Sequence, residues 1–100
     1  MFKNQRFLTK GVNLEVDLFL QFLLWSMVDE MEVEEKDYLQ TFTLKPILVD
    51  GEMVQEIIHT QEKPPYENKF VLNKLTKPIT AKIFIIDSGT YTTMLLADDY

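Results

Sequence analysis

Eleven consecutive residues, Leu18 to Val28, contain two polar side chains, Gln21 and Ser26, and no charge. At 100° per residue, Leu20, Leu23, Leu24, Met27 and Met31 form one stripe. Leu18, Phe22 and Trp25 form a second on the far side. A surface helix carries one apolar stripe, whereas a helix apolar all round is enclosed. The segment therefore predicts a single buried helix that the rest of the chain wraps, or to which a partner docks. At about eleven residues its apolar core is too short for the roughly twenty that span a bilayer.

The boundaries follow from local chemistry. Gln5 to Thr9 reads as a short strand ended by Gly11. Val12, Leu14 and Val16 alternate with Asn13 and Glu15, which is extended periodicity. Helix then begins at Asp17, whose carboxylate suits an N-cap, with Asn13 as the rival cap. It is expected to run to Met31 or Val33. After Asp37 the period becomes two. Tyr38, Phe42 and Leu44 alternate with Leu39, Thr41 and Thr43, and Pro46 marks the end or an edge of that strand. Asp50-Gly51 is a hairpin signal, followed by a strand from Met53 to about Gln61. Pro64-Pro65 predicts an extended connection, and Phe70 to Leu72 a short strand. The last hairpin runs Thr80 to Ile86, a turn at Asp87 to Thr90, and Tyr91 to Ala97. With a two-residue loop at Ser88-Gly89, Ile83 faces Met94 and Ile86 faces Tyr91. Both sheet faces then hold large apolar groups, so one covers the helix and the other meets a curled sheet or a second subunit.

One hundred residues make one domain, 1–100, and 46% hydrophobic content makes it globular. Cysteine is absent, which excludes disulfides and thiolate metal sites. The N-terminus lacks the apolar run and cleavage site of a signal peptide, and a cytoplasmic protein is expected. The net charge of −6 is unevenly spread. Asp29, Glu30, Glu32, Glu34, Glu35 and Asp37 face Lys36 alone within nine residues. Carboxylates at a helix C-terminus oppose the macrodipole, so either the helix stops early or these acids have another use. Lys63, Lys69, Lys74, Lys77 and Lys82 form a basic stretch against Glu67. If they gather in space, the molecule has an acidic end and a basic flank.

Reactive constellations are not assembled in the sequence. His59, the one histidine, shares a strand face with Met53, Gln55, Ile57 and Gln61, while Glu56 and Glu62 point the other way. It reads as a half-exposed strand residue. Ser26 and Ser88 lie outside any nucleophile elbow. No imidazole or thiolate set suits zinc or iron, and the acid spacing does not match a calcium loop. The glycines are scattered, so no phosphate cradle forms. Overall acidity and one arginine count against nucleic-acid binding through Tyr66, Phe70 and the lysines. The expectation is a protein without catalytic residues, cofactor, metal or membrane span.

Several segments together resemble a family of small low-GC Gram-positive bacterial and phage proteins, domain of unknown function nine-sixty. They are Asn4-Gln5-Arg6-Phe7 with Gly11, the helix around Gln21 and Trp25 ending Asp29-Glu30, and Asp37-Tyr38-Leu39-Gln40. To these add Ile58-His59 with Gln61-Glu62 and Pro65, and Ile86-Asp87-x-Gly89-x-Tyr91-x-Thr93-Met94-Leu95-Leu96 running to Tyr100. The resemblance spans essentially the whole chain. It implies an α+β roll, a single helix in a curved antiparallel sheet of about five or six strands, cystatin-like or nuclear-transport-factor-like. It implies no activity, and it favours an accessory role on phage or mobile-element DNA.

The leading expectation is a non-catalytic protein-binding module, a homodimer that engages another protein. Glu30, Glu32, Glu34, Glu35 and Asp37 are the candidate contact surface. Leu18, Phe22, Trp25, Tyr38, Phe42 and His59 are the candidate interface or pocket. Two alternatives remain. One is a small-ligand pocket in the mouth of the roll, lined by Trp25, Tyr38, Phe42 and His59. The other is an acidic mimic of DNA that occupies a DNA-binding protein.

Overall fold

The computed structural model describes residues 1–73 and 77–100. Lys74 of the basic stretch lies outside them. The chain orders itself as β1 (Gln5–Leu8), α1 (Lys10–Glu15), α2 (Leu18–Asp29), β2 (Leu39–Val49), β3 (Glu52–Gln61), β4 (Tyr66–Leu72), β5 (Ala81–Asp87) and β6 (Tyr91–Leu96), closed by a 3-10 turn at Ala97–Asp99. The expected α+β class holds. Among the described residues six strands form one open sheet in the order β1-β6-β5-β2-β3-β4. All pairs are antiparallel except β1 with β6, which run parallel.

Hairpin signals place the central strands. Asp50 and Gly51 both adopt positive φ, 49° and 82°, as a two-residue type I′ turn requires. They set Val49 opposite Glu52 and Leu44 opposite Ile57. Pro46 does not end β2; it pairs with Gln55. The strand tolerates it because β5 stops at Ala81, opposite Leu44, so beyond that point β2 is an edge on its β5 side. The last hairpin is shifted by two residues from the expected register: Asp87 faces Thr92 and Ile83 faces Leu96. The reason lies in Asp87, whose Oδ1 accepts the Gly89 N–H at 2.8 Å. Ser88 N–H donates to Tyr91 O at 2.9 Å, which moves the loop to Gly89-Thr90. A shift of two keeps every side chain on its expected face, where a shift of one would invert the sheet. Between β3 and β4, Pro64-Pro65 lies in a tight turn that sets Gln61 opposite Tyr66, not in an extended connection. β4 is correspondingly longer than Phe70–Leu72.

The segment at Val12–Val16 is helical where alternation suggested extended chain. Val12 and Val16 are buried while Leu14 is exposed, so the useful spacing is four, not two. Thr9 Oγ1 caps α1 by accepting the Val12 N–H at 3.4 Å. A Cβ on Gly11 would stand 2.9 Å from Leu96, so glycine lets α1 approach β6. Asp17 is the N-cap of α2, its Oδ1 accepting the Leu20 N–H at 2.9 Å. Helix stops at Asp29, short of Met31 or Val33. That early stop places most of the acids beyond the dipole's negative end.

The core lies between α2 and one sheet face. Leu20, Leu24, Met27 and Val28 pack with Phe42, Leu44, Ile57, Ile83, Ile85 and Met94, joined by Phe2, Val12 and Val16. Phe2 is held there by Asp87, whose carboxylate accepts its N–H at 2.8 Å and the Asn4 amide at 3.0 Å. Those bonds, the Phe2 N–H first, hold the Asp87 carboxyl below the usual carboxylate range. Enclosure of the helix does not hold. The sheet covers one side of α2, and Leu18 and Phe22 face away from it, exposed.

Candidate functional site

The six residues expected to share one interface or pocket do not come together: Leu18 and Phe22 are exposed on the outward side of α2, and the other four separate into three further places. Phe42 and His59 are fully buried and stacked, ring centroids 4.2 Å apart, within the core face of β2 and β3. Trp25 is half-buried under the Arg6 guanidinium, 4.7 Å from its ring. Tyr38 is exposed and lines a groove of about 320 Å³ with Asp37, Thr41, Thr60 and Lys82 on the opposite sheet face. No cavity among the described residues joins Trp25, Tyr38, Phe42 and His59, so the roll-mouth pocket is corrected. Phe42 and His59 fill the space that pocket needed.

His59 is not half-exposed, as its place on a strand suggested; it heads a buried polar chain. Its Nε2 lies 2.7 Å from Gln40 Oε1. Gln40 Nε2 donates to Gln61 Oε1 at 2.7 Å and to Asp37 O at 2.8 Å. Gln61 Nε2 donates to Glu35 O at 3.0 Å and to Pro64 O at 2.9 Å, while its Oε1 accepts the Asp37 N–H at 2.8 Å. Donor order then makes Nε2 the protonated nitrogen of His59, because Gln40 Oε1 can only accept. Its Nδ1 has no hydrogen-bond partner among the described residues. Burial pushes the imidazole down to about 4, so the ring is neutral at pH 7. Chemically this chain is an anchor: it ties the acidic connection to the β3–β4 turn. Among the described residues no nucleophilic side chain hydrogen-bonds to it; Ser26 Oγ donates to Leu23 O within α2.

The acidic connection divides in two. Glu30, Glu32, Glu34 and Glu35 are exposed, whereas Asp37 accepts the Lys63 N–H at 3.2 Å. Asp29 is neutralised by Arg6, and Lys36 donates to the Asp29 carbonyl at 3.3 Å. Among the described residues the carboxylates of Glu30, Glu32, Glu34 and Glu35 have no ion-pair partner, and they stand on one loop whose backbone is held by Gln40 and Gln61. Among the described residues no three His, Asp or Glu side chains converge to hold a metal ion.

Two further features stand out, the first of which escaped the residue pattern while the second contains Leu18 and Phe22 of the expected interface. Glu56, on the outer face of β3, is 6% exposed and flanked by Lys45 and Lys69, each 3.7 Å away. The β2–β3 register sets Lys45 directly opposite it, and the β3–β4 turn, which the residue pattern did not disclose, brings Lys69 diagonally beside it. The second is the outward side of α2, where Leu18, Phe19 and Phe22 are 63%, 60% and 63% exposed, with Leu14 at 73%. Three large apolar groups on adjoining helical positions form a contiguous patch, which soluble monomers seldom leave uncovered without an interaction role. Acids rim it: Glu15 and Asp17 at its N-terminal end, Asp29 and Glu30 at its C-terminal end.

Comparison with known proteins agrees with this architecture. A family model described as staphylococcal protein of unknown function (DUF960) matches residues 5–99. A crystal structure of a protein of unknown function from Enterococcus faecalis shares the fold, with a TM-score of 0.75 at 23% identity, covering 97% of this chain and 91% of that one. No curated protein matches the chain. No described helix is long and apolar enough to cross a membrane.

Proposed function

We propose that this chain, which belongs to the DUF960 family of staphylococcal proteins of unknown function, is a non-catalytic protein-binding module that also self-associates. The carrying observation is the outward face of α2, with Leu18, Phe19 and Phe22 each about three-fifths exposed beside Leu14. Exposed Leu and Phe on a rigid helix supply buried area at low entropic cost when a partner covers them. The acid rim and the free carboxylates at Glu30, Glu32, Glu34 and Glu35 define the partner's chemistry. It has an apolar centre ringed by lysine and arginine.

The acids stand on one loop rather than over a whole face, which favours a rim over an extended imitation of a phosphate backbone. An accessory role for a mobile element, in the cytoplasm, belongs to the same proposal and rests on family resemblance and the lack of cysteine. The test is affinity capture from native lysate at low and high salt, comparing wild type with a Leu18→Asp/Phe22→Asp variant of unchanged circular dichroism. A protein held by wild type and released by the variant supports the reading. Identical captured sets, or none, overturn it.

A further inference from the structure

β4 ends the sheet on one side, and among the described residues no strand lies beyond it. Its backbone polarity follows from the hairpins. In a two-residue hairpin the flanking pair, Val49 and Glu52, exchanges both backbone N–H···O hydrogen bonds, and bonded pairs alternate from there. The peptide groups of Gln55, Ile57, His59 and Gln61 therefore turn to β4, where they meet Leu72, Phe70, Asn68 and Tyr66. Those of Glu67, Lys69 and Val71 face outward with no strand to pair them. The opposite edge, β1, is four residues long, a common protection against edge pairing. β4 has seven residues, and Phe70 and Val71 are 39% and 45% exposed.

We propose that two copies of this chain join along β4, antiparallel, with Glu67 of each opposite Lys69 of the other. The proposal rests on self-association as read above but leaves the α2 face free for a different partner. Its register is selected by charge. Antiparallel pairings that keep the helices on one side and bring outward peptide groups together differ in steps of two residues. One such register sets Glu67 against Glu67, and another sets Lys69 against Lys69; like charges directly opposite oppose pairing. The register between them places each Glu67 against a Lys69, twice, by two-fold symmetry. The same register sets Tyr66 against Phe70 on the core face, burying the exposed ring beside the Tyr66 ring that already packs edge-on to His59 at 5.3 Å. Lys69, near Glu56 at 3.7 Å, then stands between an acid of its own chain and one of its partner.

The test combines light scattering over a concentration series with amide hydrogen exchange on the full chain. Wild type is expected to dimerise, and the Glu67 and Lys69 amides, unpaired in one copy, to become protected as dimer forms. Glu67→Lys should weaken the dimer roughly tenfold or more, since it sets like charges opposite twice. Mixing Glu67→Lys chains with Lys69→Glu chains restores opposite charge at every pair and should restore pairing. A wild type that stays monomeric up to its solubility limit overturns this proposal and self-association together. A dimer whose Glu67 and Lys69 amides exchange freely, or which Glu67→Lys leaves intact while Phe22→Asp dissolves it, overturns β4 pairing and leaves self-association standing through α2. If Lys69→Glu does not fold, the exchange measurement still decides between the two.

Discussion

The two sides of α2 carry almost the same chemistry and meet different surroundings. Leu20, Leu24, Met27 and Val28 are buried, while Leu18, Phe19 and Phe22 stand in solvent. Hydrophobicity does not separate them, because the buried side is Leu, Met and Val and the exposed side Leu and Phe. The difference comes from the number of covering layers: an open sheet has one face to offer a helix, and a closed roll would have offered more. Apolar pattern therefore reports what a segment can bury, and the layers around it report what it does bury. The exposed side is surplus to folding, which makes it a candidate for function.

The largest consequence tests this asymmetry directly. Leu24→Ala should cost about 2–5 kcal/mol, since it deletes a fully buried side chain and leaves a cavity, whereas Phe22→Ala should stay within about 0.5 kcal/mol in denaturant titrations. Equal costs would mean that the outward face is covered in the folded unit. A second contrast uses pH. His59 has its pKa lowered to about 4 in the folded chain from an ordinary value near 6.5. The unfolded chain thus binds the proton more tightly across that window, and stability falls as pH drops from about 6.5 to about 4. The loss approaches an order of 3 kcal/mol, and a His59→Gln variant should lack that component of the slope. Thermal or denaturant melts at a series of pH values measure it; a slope unchanged in the variant would remove His59 from the account. The smallest effect is at the helix start, where Asp17→Ala removes the bond to the Leu20 N–H and should cost about 0.5–2 kcal/mol in the same titration.

Legibility in the residues followed the range of the interactions. Asp50-Gly51 announced its hairpin because positive φ at both positions is a property of those two residues. Asp17 announced the start of α2 because capping reaches three residues along the chain. Val12 to Val16 read as extended and folds as helix: two apolar groups four apart satisfy a strand and a helix equally, and the exposed Leu14 tells them apart only after folding. His59 looked half-exposed because its partner Gln40, itself bonded to Gln61, lies on another strand that only the β2–β3 register brings beside it. Glu56 carried no signal of burial for the same reason, since Lys45 and Lys69 reach it across two different strands.

Neighbouring residues were enough to mark where this chain turns, where its main helix begins, and that strands follow it in an α+β class. Those outcomes depend on backbone preferences and on bonds spanning a few positions. Which side of α2 stays wet, which strand becomes an open edge, and which acids remain free on the connection were settled by packing between distant segments. Burial is a property of the assembled layers, and no single segment carries it.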